Sequence, residues 1–263
     1  MAPMKKTLSR IFGGATGQRD NTSPAPPPQP KDTFVAVGDL HGCSDLLNML
    51  GLMIEKQYFG YPVVFLGDYV DRGENTRRVL DLLMRSSPDG PHPVTCLMGN
   101  HEKMLLDFLD DPARAARPWL RNGGLQTLAS FGVAPASGGM ENANALEALR
   151  DRLADSMGET MINWLRDLPL SWQSGNVWAV HAGADPRRPM EAQDPERLLW
   201  GHPRFSRQPR RDGQWVVHGH TVVHTPEIQG TRIAVDTGAY ATGVLSAAVI
   251  SDGDVAFFQA ATR

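Results

Sequence analysis

The chain has 263 residues, 41% of them apolar, with 26 basic and 29 acidic side chains and a formal net charge of −3. That length suits one large domain or two small ones, and the apolar share excludes disorder throughout. The near balance of charge leaves no global electrostatic case for a nucleic-acid binder. The longest apolar runs, Val63 to Leu66 and Val244 to Ile250, fall far short of the roughly 20 residues of a bilayer span, so no membrane insertion is expected. Two cysteines, Cys43 and Cys96, cannot build a disulfide framework, and a reducing cytoplasm is the expected compartment.

Residues 1 to 32 read differently from the rest. Pro24, Pro26, Pro27, Pro28 and Pro30 crowd seven positions, the composition of a disordered or polyproline II linker. Met4 to Phe12 mixes positive charge with scattered apolar residues and lacks the continuous apolar stretch of a secretory signal; a solvated tail is expected there rather than a surface anchor. Gly13 to Gly17 is glycine-rich, but no strand precedes it and no Lys-Ser/Thr follows, so it is not read as a phosphate loop. Residues 1–32 hold five basic and two acidic side chains, or +3, which leaves residues 33–263 at −6.

From Thr33 onward, short runs rich in β-branched residues end abruptly in polar motifs, several followed by a helical pattern. Thr33 to Val37 runs into Gly38-Asp39-Leu40-His41-Gly42, after which Leu46, Leu47, Leu50 and Ile54 recur at helical spacing. Val63 to Leu66 leads to Gly67-Asp68-Tyr69-Val70-Asp71-Arg72-Gly73, with Val79, Leu82 and Leu83 supplying the next helix. Val94 to Met98 ends in Gly99-Asn100-His101-Glu102, and Met104, Leu105 and Phe108 follow. Residues 103 to 168 are mainly helical by pattern, an insertion rather than another repeat. Then Val177 to Val180 meets His181-Ala182-Gly183, Trp215 to Val217 meets His218-Gly219-His220, and Ile233 to Val235 meets Asp236-Thr237-Gly238. The last two runs flank Ser251-Asp252-Gly253-Asp254, which is hairpin-turn chemistry.

A strand that stops in a Gly-bounded polar loop projects side chains into a crevice while its body stays buried. Asp39, His41, Asp68, Asn100, His181 and His220 together form a set of oxygen and nitrogen donors for hard or borderline divalent metals, with no thiolate among them. Each motif alone has a plainer reading: Asp-x-His is more often a turn or helix cap, and a lone strand-end histidine more often a hydrogen-bonded loop residue. The conjunction of six such strand ends is what points to one cluster. A shared carboxylate would make two metal sites, and two metals about 3.5–4 Å apart can generate hydroxide and clamp a phosphoryl group.

Taken together these motifs resemble the PPP-type metallophosphoesterases, particularly the small bacterial and phage protein phosphatases, over about residues 33 to 259. The resemblance implies a four-layer α/β/β/α sandwich of two mixed sheets, with the metals at one edge. It implies that Asp39, His41 and Asp68 hold one ion, and that Asp68, Asn100, His181 and His220 hold the other. Two divalent ions are expected, manganese first, with iron or zinc also compatible with these ligands. His101, beside a ligand but not one in the family, is expected to protonate the leaving oxygen, with Asp71 orienting and charging its imidazole. Arg72 offers a planar fork for phosphate oxygens, and Asn100 also faces the substrate phosphate.

One departure concerns the second phosphate-binding arginine of the bacterial relatives, two residues after the tryptophan of a Leu-Leu-Trp segment. Here Leu198-Leu199-Trp200 is followed by His202 at that position and Arg204 two residues later; Arg204 is expected to take over the clamp. Trp119 to Gly124, with Thr127 and Leu128, resembles the family's post-signature region, read equally as cleft lining or as a helix cap. Asp236 to Tyr240 is expected to pack under the site as structure. His92 and His224 are read as surface residues, and Cys43 as a small buried one.

The expected activity is hydrolysis of phosphoserine and phosphothreonine, with phosphotyrosine as a further substrate, by direct attack of metal-bound hydroxide. Its partners would be phosphorylated proteins or small phosphoesters, not nucleic acid, and a monomer is plausible. The alternative enzyme is a symmetrical bis(5'-nucleosyl)-tetraphosphate hydrolase, which shares the early motifs. A non-catalytic metal-dependent binding protein is disfavoured by the retention of every ligand together with His101 and Arg72.

Overall fold

The computed structural model describes residues 25–86, 89, 93–135 and 142–262. The motifs Met4 to Phe12 and Gly13 to Gly17, and His92, lie outside them.

Two five-stranded sheets pack face to face. The first contains β1 (Phe34–Val37), β2 (Val63–Phe65), β3 (Val94–Cys96), β9 (Val244–Ser251) and β10 (Asp254–Ala261), in the order β10-β9-β1-β2-β3. The second contains β4 (Ser171–Ser174), β5 (Val177–Val180), β6 (Trp215–His218), β7 (Glu227–Gln229) and β8 (Arg232–Ala234), in the order β4-β5-β6-β8-β7. Both are mixed: β1, β2 and β3 run parallel, as do β5, β6 and β8, while β9, β10, β4 and β7 pair antiparallel. The expected pair of mixed sheets is therefore present. The edge strands β4 (Ser-Trp-Gln-Ser) and β7 (Glu-Ile-Gln) escape a reading based on apolar runs, because each is short and mostly polar.

Strand alternation distributes the apolar side chains among the layers. Phe34, Ala36, Val64, Leu66, Ala248 and Ile250 face inward and meet Val177, Ala179, Val217 and Ile233 of the other sheet. Val35, Val37, Val63, Phe65, Ala247 and Val249 face the opposite way, against the helices. Those helices are α1 (Ser44–Gln57), α2 (Thr76–Leu83) and the run α3 (Asn100–Asp110), α4 (Pro112–Trp119), α5 (Leu125–Ser130), α6 (Ala143–Met157) and α7 (Glu159–Arg166). The helical stretch read as 103 to 168 thus begins at Asn100, so the Asn100-His101-Glu102 motif is the first turn of α3 rather than a loop before it. On the far side of the second sheet the cover is thinner: Trp178, Val180 and Val216 pack against Ala184, Met190, Phe205 and Leu198 of the six-residue α8 (Pro195–Trp200). The short α9 (Ala239–Thr242) precedes β9.

The proline-rich segment departs from a free linker over residues 25–32. It has no regular structure, yet it straps the two sheets together at the end away from the strand-end motifs. Trp215 Nε1 donates to the Pro26 carbonyl at 2.8 Å and Gly253 N to that of Pro28 at 2.8 Å. Asn176 Nδ2 donates to Pro27 O at 3.0 Å, and its Oδ1 accepts from Gln29 N at 2.6 Å. Prolines lack an N–H but keep their carbonyls as acceptors, and this segment uses three of them to tie the β4–β5 turn, β6 and the β9–β10 turn.

Candidate metal and phosphate site

The loops after β1, β2, β3, β5, β6 and β8 converge at one edge of the sandwich. Asp39, His41, Asp68, Asp71, Asn100, His101, His181 and Asp236 are all buried. Among the described residues, the non-glycine positions with positive φ are His41 (42°), Asp68 (54°), Asp71 (71°), Arg72 (67°) and His220 (61°). Every one had been singled out from the sequence for chemistry. Left-handed backbone is costly for side-chain-bearing residues and persists where the surroundings over-determine it.

Glu102 is one source of that determination, and sequence reasoning passed over it. From the first turn of α3 its buried carboxylate accepts four backbone N–H groups: Gly99 at 2.9 Å and Asp68 at 2.8 Å on Oε2, Tyr69 at 2.7 Å and Val70 at 3.1 Å on Oε1. The loops bearing Asp68 and Asn100 are thereby clamped together. Asp68 in turn accepts the His101 backbone N–H at 3.0 Å. A Cβ at Gly99 would strike the Asp68 carboxylate and Glu102, so the glycine is required by the close approach of these two loops.

The donors form two groups that share Asp68. His41, Asp68 and His101 offer atoms within 4.8 Å of one another, as do Asp68, His181 and His220. The protonation pattern fits cations. His41 Nδ1 donates to Val70 O at 2.8 Å, which leaves Nε2 a bare lone pair, buried without a hydrogen-bond partner and 3.5 Å from Asp68 Oδ2. His181 Nδ1 likewise donates to Leu66 O at 2.9 Å, so its Nε2 is turned to the same centre, 2.8 Å from Asn100 Oδ1 and 3.3 Å from Asp68 Oδ1. His220 Nδ1 lies 2.9 Å from the same Asn100 oxygen. The unpartnered His41 Nε2 is a buried acceptor with no proton to meet, and a cation would satisfy it. Asp39 stands somewhat apart, accepting the His220 backbone N–H at 3.1 and 3.2 Å on its two oxygens.

The electrostatics agree. Burial pushes His41 down to about 3 and, with His181 beside it, His220 down to about 4, so both stay neutral as metal ligands must. Burial, Asp236 and Asp68 hold the Asp39 carboxyl well above the usual carboxylate range. Asp68 resists its own burial because His181, His101 and His41 surround it, and its pKa falls.

His101 belongs to a different network. Both of its ring nitrogens are engaged: Nδ1 with Asp71 Oδ2 at 2.7 Å and Nε2 with Arg72 Nη2 at 3.1 Å. Asp71 is fixed by Trp119 Nε1 at 3.0 Å and Thr127 Oγ1 at 2.7 Å on Oδ1. The Trp119 to Thr127 segment therefore supports the dyad from behind. It contains a π-helical turn, Leu120–Gly124, where Gly123 has φ 107° and its carbonyl accepts the Arg72 backbone N–H at 3.3 Å. Burial lowers the His101 pKa, but Asp68 and Asp71 outweigh it and the imidazole is held above its ordinary value.

Two expectations need adjusting. Tyr240 is not merely beneath the site: its ring lies 5.2 Å from that of His41, and the Arg72 guanidinium stacks over it at 4.9 Å. Arg204 is exposed beyond α8, its backbone N–H on His202 Nδ1 at 3.2 Å, while His202 Nε2 lies 3.8 Å from Asp185. Among the contacts of the described residues, neither side chain reaches Arg72 or His101.

The profile of the calcineurin-like phosphoesterase family matches residues 33–224. The chain belongs to the calcineurin-like phosphoesterases. Within this phosphoesterase family it is similar to a symmetrical bis(5'-nucleosyl)-tetraphosphatase of Janthinobacterium sp. (strain Marseille), at 28% identity over 155 residues, 59% of this chain and 45% of the relative. It is also similar to serine/threonine-protein phosphatase with EF-hands 1 of Rattus norvegicus, at 37% identity over 83 residues, 30% of this chain and 12% of the relative. The matched stretches thus span less than half of these two relatives. A solved structure described as a putative diadenosine tetraphosphatase shares the fold at TM-score 0.60 and 22% identity, covering 92% of this phosphoesterase and all of that chain. Among the described residues no helix is long and apolar enough to cross a membrane.

Proposed function

We propose that this phosphoesterase is a dinuclear, metal-dependent phosphomonoesterase acting on phosphoserine and phosphothreonine in proteins, with manganese the favoured ion and the cytoplasm its setting. The observation that carries the reading is two donor groups joined at Asp68, His41–Asp68–His101 and Asp68–His181–His220, with Asp71 and Arg72 engaging the two ring nitrogens of His101. Asp39, His41 and Asp68 would hold one ion, and Asp68, Asn100, His181 and His220 the other. When bound, the ions would polarise the phosphoryl group and activate water.

The chain's own residues divide the remaining work. Arg72 binds two phosphoryl oxygens through its planar fork, its guanidinium aligned by the Tyr240 ring. Moving Arg72 onto phosphate frees His101 Nε2, which takes up a proton from water, its pKa being held above the ordinary value, and passes it to the leaving oxygen as the P–O bond breaks. Asp71 keeps the imidazole protonated at Nδ1 and supplies the counter-charge, while Trp119 and Thr127 hold Asp71 in place. Arg204 would reach the substrate only outside this inner set.

A second reading, hydrolysis of bis(5'-nucleosyl) tetraphosphates, is favoured by the relative that bears that name. The test is metal-stripped protein restored with manganese, iron or zinc and assayed side by side on phosphopeptides, p-nitrophenyl phosphate and diadenosine tetraphosphate. The proposal expects phosphopeptide turnover to dominate, with inversion at a chiral phosphorus; dominant dinucleotide cleavage, or retention, would overturn it.

A further inference from the structure

A groove of about 840 Å³ opens between the loop that follows ligand His181 and the segment leading into β6. Its walls include Pro186, Pro189 and Pro209, and its rim carries Arg187, Arg188 and Arg211. All three arginines are exposed, and among the described residues their guanidinium groups form no ion pair. The acidic groups in the groove do not cancel this charge. Asp212 is already paired with Arg210, and Asp185 behind the rim is shared among His202, Arg204 and Arg188, which leaves positive charge in excess over Glu191.

The groove is a built feature. Arg210, nearly fully buried, reaches across it from below: Nη1 donates to Asp185 O at 3.1 Å and Nη2 to Arg188 O at 2.8 Å. Gln193 pins the same loop, accepting from Asp185 N at 2.7 Å and donating to the carbonyls of Asp185, Arg188 and Pro189 at 3.0, 3.0 and 3.1 Å. The backbone carrying Arg187 and Arg188 is thus held in one shape, and a basic island is fixed on a body whose net charge is −6.

We propose that this groove docks an acidic segment of the phosphoprotein substrate, away from the phosphoryl site. The inference rests on the phosphoprotein reading above and names the kind of substrate. The size suits a peptide better than a single anion, because about 840 Å³ is far more than one small anion fills and the three exposed cations come from two separate segments of the chain. It suits a carboxylate-rich chain better than a nucleic acid, because no aromatic side chain lines it for base stacking and Glu191 would oppose a phosphate backbone. Gln214 of the groove and the strand-end His218 are separated by the length of β6, four residues or about 13 Å. An extended peptide covers that span in roughly four to six residues, which sets the distance of the acidic segment from the phosphorylated residue.

The experiment uses the full-length chain and a fluorescein-labelled, unphosphorylated peptide of alternating Asp and Glu, read by anisotropy. We expect binding that weakens with salt, and a loss of about tenfold in the triple variant Arg187→Ala/Arg188→Ala/Arg211→Ala. A phosphopeptide with acidic residues four to six positions from the phosphoserine should show a kcat/KM about tenfold above its serine-substituted counterpart in the wild type. That ratio should fall to near one in the variant, with turnover of p-nitrophenyl phosphate unchanged. Absence of peptide binding, equal binding by the variant, or tighter binding of an RNA oligomer at the same arginines would overturn the proposal. Retained acidic-peptide binding with no phosphopeptide turnover would instead overturn the phosphoprotein reading and leave the groove standing.

Discussion

Replacing Glu102 by Gln tests the clamp that sets the metal site. The carboxylate serves its four backbone donors in two pairs, Gly99 and Asp68 on one oxygen, Tyr69 and Val70 on the other. A glutamine amide keeps one oxygen and turns an NH2 toward the other pair, so two buried N–H groups lose their acceptor. Each such loss costs about 1–3 kcal/mol, or about 2–6 kcal/mol for the pair, set against a total stability of about 5–15 kcal/mol for a domain. Because one pair includes the N–H of Asp68, whose φ is 54°, the loss also frees the carboxylate shared by both metal groups. Urea unfolding of wild type and E102Q, with and without manganese, measures the first effect, and calorimetric titration of the metal-free proteins measures the second. We expect a stability loss in that range and manganese binding weaker by at least tenfold. If E102Q lost less than about 1 kcal/mol and bound manganese as the wild type does, the clamp would carry no such role.

Three further outcomes follow from the geometry. His101 is held above its ordinary pKa by Asp68 and Asp71, so the acid form persists to higher pH and activity should fall as pH rises through that raised value. Bound metals cancel the contribution of Asp68 but not that of Asp71, so D71N should move the alkaline limb of kcat/KM to lower pH and cut the rate by about 10²–10⁴-fold; an unmoved limb would remove Asp71 from the dyad. G123A places a Cβ 2.5 Å from the Arg72 backbone nitrogen at a residue with φ 107°, a strain of about 1–3 kcal/mol. It should raise KM for phosphopeptides with an unchanged circular dichroism spectrum, and unchanged kinetics would separate this turn from the phosphate fork. In the metal-free protein, burial and neighbouring carboxylates raise Asp39 and Asp236. Groups raised in the fold favour folding while protonated, so stability should decline as pH climbs above the ordinary carboxyl range, and divalent ions should restore it. Thermal melts across pH, with and without chelator, would expose a flat profile if the carboxylates were not coupled in this way.

The residues proposed to hold metal and phosphate were legible because local chemistry marks them. Gly-bounded Asp, His and Asn at the ends of β-branched runs are recognisable one loop at a time, and their coincidence is hard to produce otherwise. The helices of the 100–166 stretch were legible too, since Leu146, Leu149 and Leu153 keep helical spacing whatever they pack against. The supports were not. Glu102 reads as the last residue of a polar motif ahead of a helix, with no role of its own, and its partners at Asp68 to Val70 lie more than 30 residues away. Trp119 and Thr127 look like core and helix, and only the fold turns them toward Asp71. Tyr240 sits in a loop whose sequence signals packing, and its place between His41 and Arg72 arises from the meeting of two sheets.

By itself, then, the sequence determined which side chains can bind metal and phosphate, the alternation that makes buried strands, and the division into a basic tail and an acidic body. These depend on residue type and on spacing within a single element. The tertiary structure decided how Glu102 clamps the loop around Asp68, why five site residues adopt left-handed backbone, that residues 25–32 strap the sheets together, and where a groove of unpaired arginines lies. Each of those depends on contacts between segments distant along the chain, which no local pattern encodes.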